Sequence, residues 1–301
     1  MPATDEVWRL QRNDDSDCVM FRRMVRGHDA PSRGTMQGFY VFSPGGALLG
    51  RRNSRRVDGM VRMLEQALAR WEALPGDERR LPKGTDVTPK HRWEDSYPED
   101  GLVLTSTVRD IPPDADPRRR RRQPFNRNPV WFSKSEARRW LPGEPVVGVK
   151  HDVPRLLVDR LARFSLVDTV RGQSLAFDRA DVAGSSMTSE VIARDGDVVR
   201  LRIRGTTKAE ADAAGGRDRW PRALDTHLLG LARYDLKTGR FLEFDLVALG
   251  IRTGGTQFNS RRNNPGPSRV GFLFRLARPG WRVPPAFVNV YDVGWVKQRE
   301  R

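Results

Sequence analysis

The most reactive side chain in this sequence is that of Cys18, the single cysteine among 301 residues. It follows Asn13-Asp14-Asp15-Ser16-Asp17, whose short polar side chains are typical of a helix cap. A thiol at the start of a helix is stabilised as the thiolate by the helix dipole and the free backbone amides. Cys18 is therefore the candidate catalytic residue, for a single-thiol reaction that forms a mixed disulfide or a sulfenic acid. The alternative is a small half-buried residue beside Met20, Phe21 and Met24.

Two arginine-rich segments are candidates for binding anions. We predict that one of them is an exposed loop, because its five successive like charges cannot be buried together. It consists of Arg118, Arg119, Arg120, Arg121 and Arg122. The other is the glycine-rich stretch 250–264, in which Arg252, Arg261, Arg262, Asn259 and backbone amides could hold an anion. Since it lacks the lysine and the helix of a phosphate-binding P-loop, a structured, hydrogen-bonded loop is the alternative.

The net charge of +16 also favours an anionic partner such as nucleic acid, through counterion release. However, only seven of the 54 basic residues are lysine, an arginine bias that a GC-rich bacterial genome also produces. The arginines are moreover interleaved with acidic residues, so dispersed surface charge is the alternative interpretation.

The remaining polar residues indicate neither a metal site nor a cofactor. The four histidines are too scattered for metal-ligand spacing; they are His28, His91, His151 and His227. Asp225, His227 and Asp235 fall on one predicted hairpin, and Ser185-Ser186 stands outside any nucleophile-elbow sequence. We therefore interpret these residues as polar strand and turn residues, and we predict no metal and no cofactor.

The elements that must position Cys18 occupy residues 1–76. Alternating polar and apolar residues predict a strand over 7–11, and a helix should run from Cys18 to Met24. Two apolar runs joined at Pro44-Gly45-Gly46 predict a hairpin over 38–50. A second helix follows Asn53-Ser54 and ends at Pro75, with Val57, Val61, Leu64, Leu68 and Trp71 forming one apolar stripe.

This order of strand, cysteine at a helix start, glycine-led hairpin and amphipathic helix resembles the thioredoxin-like fold, over about a quarter of the chain. The resemblance places Cys18 at the position of the nucleophilic thiol and Phe21 at that of the resolving cysteine. Thr35-Met36-Gln37-Gly38 stands where the family carries a cis proline. The chain is also similar to uncharacterised bacterial proteins of the thioredoxin family in which such a segment precedes a β-rich domain. The resemblance implies a degenerate thioredoxin-like segment over 1–76.

The rest of the chain is predicted as a linker over 77–100 and a β-rich domain over 101–301. Strands are expected at 102–108, 270–276 and 287–291, and hairpins over 190–204 and 227–252. Short helices are expected near 134–141, where Ser133 and Glu136 form a capping box, and 153–164. The fold class is therefore α+β, with a partial thioredoxin-like α/β segment followed by an antiparallel β barrel-like or sandwich domain packed by two helices.

These patterns favour a soluble protein that binds or scaffolds rather than catalyses. One alternative is a single-cysteine redox protein acting through Cys18, and the other is a nucleic-acid or polyanion binder using the arginine-rich loops. No apolar stretch is long enough to span a membrane. Met1 to Glu6 lacks a secretory signal, so the expected location is cytoplasmic unless an upstream segment is missing. The partner stays open: an anionic ligand or nucleic acid is possible.

Overall fold

The computed structural model describes residues 7–14, 16–31, 37–54, 56–85, 93–111, 124–212, 221–256, 258–291 and 293–296. Two compact units divide the chain, one formed by Met1–Pro89 and the other by Lys90–Arg301. The dividing point falls within the predicted linker 77–100. The run of five arginines from Arg118 to Arg122 lies outside the described residues.

The first unit contains helices α1 (Val7–Arg12) and α2 (Ser16–Arg26), strands β1 (Phe39–Phe42) and β2 (Leu48–Arg52), and helix α3 (Val57–Ala73). The predicted α2, hairpin and α3 are confirmed. The predicted strand over 7–11 is wrong, because this segment forms α1. Five residues fit either periodicity, and tertiary contacts decide between them: Gln11 is buried and accepts a hydrogen bond from Arg26 of α2.

Helix α3 uses a different face from the one that its apolar stripe predicts. Its buried residues are Gly59, Met63 and Ala67, and a side chain at Gly50 of β2 would meet the sulfur of Met63 at 2.8 Å. The predicted stripe is exposed instead, by 47% to 72%, at Val57, Val61, Leu64 and Leu68. The helix has two apolar sectors, and the sector with small residues lets the hairpin come closer.

The second unit is built on an eight-stranded antiparallel sheet with the strand order β4-β3-β10-β9-β8-β7-β6-β5. Its strands are β3 (Leu102–Asp110), β4 (Phe125–Phe132), β5 (Lys150–Asp152), β6 (Val182–Asp195), β7 (Val198–Ala211), β8 (Arg222–Asp235), β9 (Arg240–Thr253) and β10 (Ser268–Leu276). The expected barrel or sandwich is wrong in this respect. Within the described residues there is one open sheet, in which β4 and β5 are the end strands and do not pair.

Helices α4 (Lys134–Arg138) and α5 (Arg155–Phe164) confirm the two predicted packing helices, the first with the predicted capping box. Helix α5 contacts both ends of the sheet. The side-chain amide of Asn128 on β4 donates to the carbonyl of Phe164, and the hydroxyl of Ser185 on β6 donates to Asp159. In a flat sheet β4 and β6 would lie about 29 Å apart, so the sheet must curl around α5.

The inner face of the curled sheet carries the hydrophobic core. Alternate residues of the long strands point toward α5, where Leu157 and Leu161 are buried. They include Val199, Leu201 and Ile203 of β7 and Leu224 and Leu228 of β8. The inner side is therefore filled by side chains, and the opposite, outer face of the long strands is left to solvent.

The structure differs from the sequence prediction at two places in this unit. The strand predicted over 287–291 is wrong, because Val288–Val290 form a 3-10 helix. Val288 and Tyr291 are three residues apart, and this turn buries both in one cluster with Phe164. The edge strand β4 was not predicted. The side-chain amides of Asn126 and Asn128 donate to the carbonyls of Thr169 and Phe164, respectively. These partners are distant in sequence, so the residues around Pro129 do not by themselves indicate a strand.

Among the described helices, none combines the length and the apolar character needed to cross a membrane.

Candidate functional site

Cys18 is the third residue of α2 and its side chain is completely buried. It shares the buried side of the helix with Phe21, whose ring contacts Tyr40 of β1 edge to face at 5.3 Å. A thiolate needs a partly exposed site to attack a disulfide in solution. The burial of Cys18 therefore supports the packing interpretation of this residue.

Arg261, a candidate anion ligand, is held by two carboxylates of the protein itself. Its guanidinium donates to both oxygens of Asp110 at 2.7 and 3.1 Å, and to both oxygens of Asp168 at 2.7 Å each. Asp110 ends β3 and Asp168 follows α5, so this side chain joins three separate parts of the second unit. Asp110 also accepts a hydrogen bond from Arg171 at 3.0 Å.

The electrostatics of this cluster favour its charged form. Burial alone raises the pKa of the Asp110 carboxyl, but the hydrogen bonds and charges of Arg261 and Arg171 outweigh it, so the pKa lies below its usual value. Burial lowers the pKa of Arg261, and the two carboxylates outweigh that effect and raise it. The bonded carboxylates thus occupy the guanidinium that an external anion would need.

The other candidates in the 250–264 stretch shape the loop. Arg252 is buried and donates to the carbonyls of Gly254 at 3.1 Å and Asn264 at 2.8 Å. The side-chain oxygen of Asn259 accepts from the amide of Thr256 at 3.0 Å. Arg262 is exposed. The structure therefore brings Arg252, Asn259 and Arg261 together as a hydrogen-bonded loop, with Arg262 outside it.

A second buried ion pair lies beneath α4. Arg160 of α5 donates to the two oxygens of Glu136 at 2.8 and 2.5 Å, and Glu136 also accepts from the amide of Ser133. The guanidinium of Arg160 lies 5.3 Å from the ring centre of Phe132 and 5.4 Å from that of Tyr291. This cation packed between aromatic rings ties the 3-10 helix to the sheet.

The exposed side of α5 borders a cleft of about 200 Å³. Its polar walls include Arg155, Arg163 and Arg179, together with Asp159. Asp159 forms an ion pair with Arg155 at 3.5 Å and accepts from Ser185, while Arg163 donates to the carbonyl of Phe177. These contacts hold the side chains in place and leave no cavity large enough for a substrate of drug-like size.

Ser186 and His227 do not form a catalytic pair. On the outer face of the sheet, strand register places Ser186 opposite Thr206, and Thr206 opposite His227. Ser186 and His227 lie on strands two spacings apart, about 10 Å, which is too far for a hydrogen bond. In the described part of the chain, no three acidic, histidine or cysteine side chains are placed to hold a metal ion.

The most unusual surface is the outer face of β8 and β9. Five aliphatic side chains there are exposed by 40% to 57%, and we name them the aliphatic patch: Leu229, Leu231, Val247, Leu249 and Ile251. Register places Leu229 directly opposite Val247, so the side chains adjoin across the two strands. Leu273 of β10 lies opposite Val247 on its other side, and extends the patch.

Arginines and a lysine border the aliphatic patch on both sides. On one side β7 presents Arg202, Arg204 and Lys208, and on the other β10 presents Arg269 and Arg275. We name these five residues the basic border. Three of its members are paired: Arg202 with Glu190 at 2.9 Å, Lys208 with Glu210 at 2.9 Å and Arg275 with Asp245 at 3.1 Å. Among the described residues, neither Arg204 nor Arg269 has a carboxylate within ion-pair distance.

This surface was not predicted, although the sequence carries a signal for it. An antiparallel strand with one solvated face should alternate between apolar and polar residues. Leu228-Leu229-Gly230-Leu231 and Leu246-Val247-Ala248-Leu249 are apolar on both faces instead. A strand of this kind has a second apolar face that no core residue covers.

No protein family, curated protein or solved structure matches this chain in the comparisons with known proteins.

Proposed function

We propose that this protein is a binding or scaffolding protein that engages a protein partner through the outer face of its eight-stranded sheet. The observation that carries the proposal is the aliphatic patch, with five neighbouring aliphatic side chains exposed by 40% to 57%. A contiguous exposed apolar patch with a polar rim is the usual mark of a protein interaction site. The charged rim and aliphatic centre match the anatomy of a protein interface.

The inner face supports a binding function over an enzymatic one. Enzymes and carriers with curled antiparallel sheets hold their ligands in an internal cavity. Here the inner side is filled by α5 and the core side chains of β6–β10. The buried Arg261 and Arg160 are bonded to carboxylates of the protein, which supports structural roles for both.

Site-specific photocrosslinking tests the proposal. We would place a photoreactive phenylalanine analogue at Leu249 in the full chain and irradiate it in an extract of the source cells. The expected result is a discrete protein adduct that an excess of unmodified chain competes away. The matched control places the same analogue at Val147, which is equally exposed but lies in the turn before β5, three strands away from β8. Absence of a specific adduct at position 249 would refute the function.

A polyanion-binding function is the second candidate, and the basic column on β7 favours it. Arg200, Arg204 and Lys208 point to the outer face and are exposed. Filter binding of labelled RNA and DNA at two salt concentrations tests it, because binding to phosphates weakens steeply with salt. Affinity that is absent, or the same at both salt concentrations, would exclude this function.

We also retain the thioredoxin-like relationship of residues 1–76 as a proposal. It is supported by the place of Cys18 in the first turn of α2 and by the hairpin and helix that follow. The burial of Cys18 and the helix at Val7–Arg12 argue for a structural segment without redox activity.

A further inference from the structure

We infer that the partner segment is an amphipathic α-helix with aspartate or glutamate along both edges of its apolar stripe. The helix would lie along β8 and β9, between the two halves of the basic border. This inference rests on the proposed function, since it names the occupant of the same surface. It follows from the width of the aliphatic patch, from the sign of the charges beside it, and from the shape of the surface.

The width of the patch fits one helix. Between β7 and β10 lie two strands, so the two halves of the basic border stand about 14 Å apart, three strand spacings. A helix with its side chains is about 10–12 Å in diameter and would fill this space. Along the strands the patch extends from Leu231, which lies opposite Asp245, to Ile251, about 20 Å, which corresponds to nearly four helical turns. Five or six apolar residues at helical spacing would cover it.

Two positive charges that have no ion-pair partner within the described residues lie on opposite sides of the patch, whereas the carboxylates of Asp225 and Asp245 lie at its two ends, opposite Ile251 and Leu231. Arg204 adjoins Leu229 from β7, and Arg269 adjoins Ile251 from β10. A helix lying between them would therefore gain from carboxylates on each edge of its apolar stripe. Arg204 and Arg269 have no carboxylate in ion-pair range among the described residues, so they are available to bind carboxylates of a partner.

A second copy of this chain fits the surface poorly. A two-fold axis parallel to the strands would place the β7 half of the basic border against the β10 half of the other copy. An axis across the strands would place each half of the border against the same half of the other copy. Either arrangement brings arginine against arginine around the patch, which is unfavourable at a desolvated interface.

A membrane surface is also a poor match. Asp225, Glu243 and Asp245 are exposed on the same outer face, at register positions adjoining the patch and its border. Anionic lipid headgroups would surround all three carboxylates at once, whereas a helix between the two halves of the basic border needs acidic residues only where it faces Arg204 and Arg269; neutral lipids would leave these two arginines without partners. The patch is moreover limited to about two strands in width, whereas a bilayer would contact the whole face.

The surface is also concave beside the patch. A shallow depression of about 400 Å³ lies over β6, β7 and β8, with Leu229 on its wall. The polar side chains around it are Ser186, Thr188, Arg204, Thr206 and His227. The hydroxyl groups and the imidazole offer hydrogen bonds to the polar edge of a helix that lies on Leu229.

Two designed peptides test the inference on the full chain. Each is a helix of about 20 residues with leucine at positions i, i+3, i+4 and i+7 of every repeat; one has glutamate and the other lysine at both edges of the stripe. We expect fluorescence anisotropy at low salt to show affinity about tenfold higher for the glutamate peptide, because several rim ion pairs add together. The preference should shrink at high salt.

Charge reversal in the protein gives the decisive comparison. The double variant Arg204→Glu with Arg269→Glu should reverse the preference, so that the lysine peptide binds more tightly. Leu249→Asp should abolish binding of both peptides. The matched controls are Arg194→Glu, at an exposed position at the end of β6, and Val147→Asp; both should keep the glutamate preference. Circular dichroism melting verifies that each variant is folded.

The remaining outcomes would overturn the inference. They are equal affinity for the two peptides, no binding of either peptide, and binding only to vesicles that contain phosphatidylglycerol. A crosslinked adduct at Leu249 with the mass of two chains would identify a second copy as the occupant. In that case the acidic helix is excluded while the binding function stands. Loss of the Leu249 adduct altogether would remove the proposed function as well.

Discussion

Arg261, a ligand-binding candidate in the sequence, is an internal link in the folded protein, and Arg160, which was not a candidate, has the same role. Arg261 and Arg160 are buried, and each contacts a carboxylate from a distant part of the chain. Arginine suits this role because its planar guanidinium bonds two carboxylate oxygens at once. The partners, Asp110 and Glu136, lie 151 and 24 residues away, so local spacing does not reveal them.

Replacement of Arg261 should measure its structural contribution. Arg261→Met leaves the largely buried carboxylates of Asp110 and Asp168 without their main partner, and we expect the free energy of unfolding to fall by about 3–5 kcal/mol. The neighbouring variant Arg262→Met alters an exposed residue and should change stability by no more than about 0.5 kcal/mol. Urea unfolding measures both. Equal, small effects would mean that the Arg261 cluster contributes little to stability.

The Glu136–Arg160 pair predicts a loss of stability in acid. Burial raises the pKa of Glu136, but Arg160 outweighs it and holds the pKa below the ordinary value of 4.5. The unfolded chain therefore takes up this proton first, and the contribution of the pair declines as the pH falls below about 4.5. Glu136→Gln should destabilise the protein by about 3 kcal/mol near neutral pH and by less at pH 3.

Thermal melts of both proteins between about pH 7 and pH 3 test this linkage. The difference in Tm between wild type and Glu136→Gln should narrow on acidification. A difference that is constant over the whole range would show that the charge on Glu136 does not stabilise the fold.

Cys18 should be protected from reagents in the folded protein. Because its side chain is fully buried, we expect alkylation by iodoacetamide to be at least about a hundredfold slower in the native chain than in guanidinium. Mass spectrometry follows the single added group. Labelling of the native protein as fast as that of a free peptide thiol would restore the redox hypothesis.

At the scale of elements, sequence patterns predicted best where an element's own residues determine its structure. The bounds of α3, the capping box of α4 and the long hairpins are local features, and the structure confirms them. Predictions were wrong or missing where contacts with distant residues determine the structure. Helix α1 contacts α2 through Gln11, and β4 pairs with β3 across a segment of chain that lies outside the described residues. The face that α3 buries was missed for the same reason.

Glycine at position 254 is required by the turn that follows β9. Gly254 has a φ of +70°, and a side chain there would meet the carbonyl oxygen of Pro221 at 1.7 Å. We expect Gly254→Ala to cost at least about 3 kcal/mol in unfolding experiments. Gly196→Ala is the control, since its φ is also positive but its surroundings are open, and it should cost about 1 kcal/mol. Equal costs would contradict a steric requirement at Gly254.

At the scale of the whole molecule, the second unit should fold without the first. The large hydrophobic clusters consist of residues from Trp93 to Val296. Residues 90–301 expressed alone are therefore expected to show a cooperative thermal transition and the far-ultraviolet spectrum of a β-rich protein. A broad, non-cooperative melt would show that the second unit depends on residues 1–89.

The candidate surface depends on the arrangement of the whole second unit. The sequence patterns predict an antiparallel β domain with two packing helices, but which face of the sheet a helix covers depends on how the sheet curls. The sequence marks β8 and β9 as apolar on both faces, but the aliphatic patch is defined only when register aligns Leu229 with Val247 and α5 occupies the opposite side. The arginine-rich loops were predicted to bind anions because their charges are adjacent in sequence. The basic border consists instead of residues from β7 and β10, which are far apart in the sequence.

The side-chain amides of Asn126 and Asn128 on β4 affect whether a second molecule can pair with this edge of the sheet. An open sheet normally exposes unpaired strand edges, at which another chain can add and begin aggregation. Here Pro129 lacks an amide hydrogen, and Asn126 and Asn128 tie the strand to neighbouring loops. Growth of the sheet by addition of strands is thereby hindered at this end. Concentrated protein should accordingly resist fibril formation. A variant in which both asparagines are replaced should form fibrils sooner than the wild type at the same protein concentration.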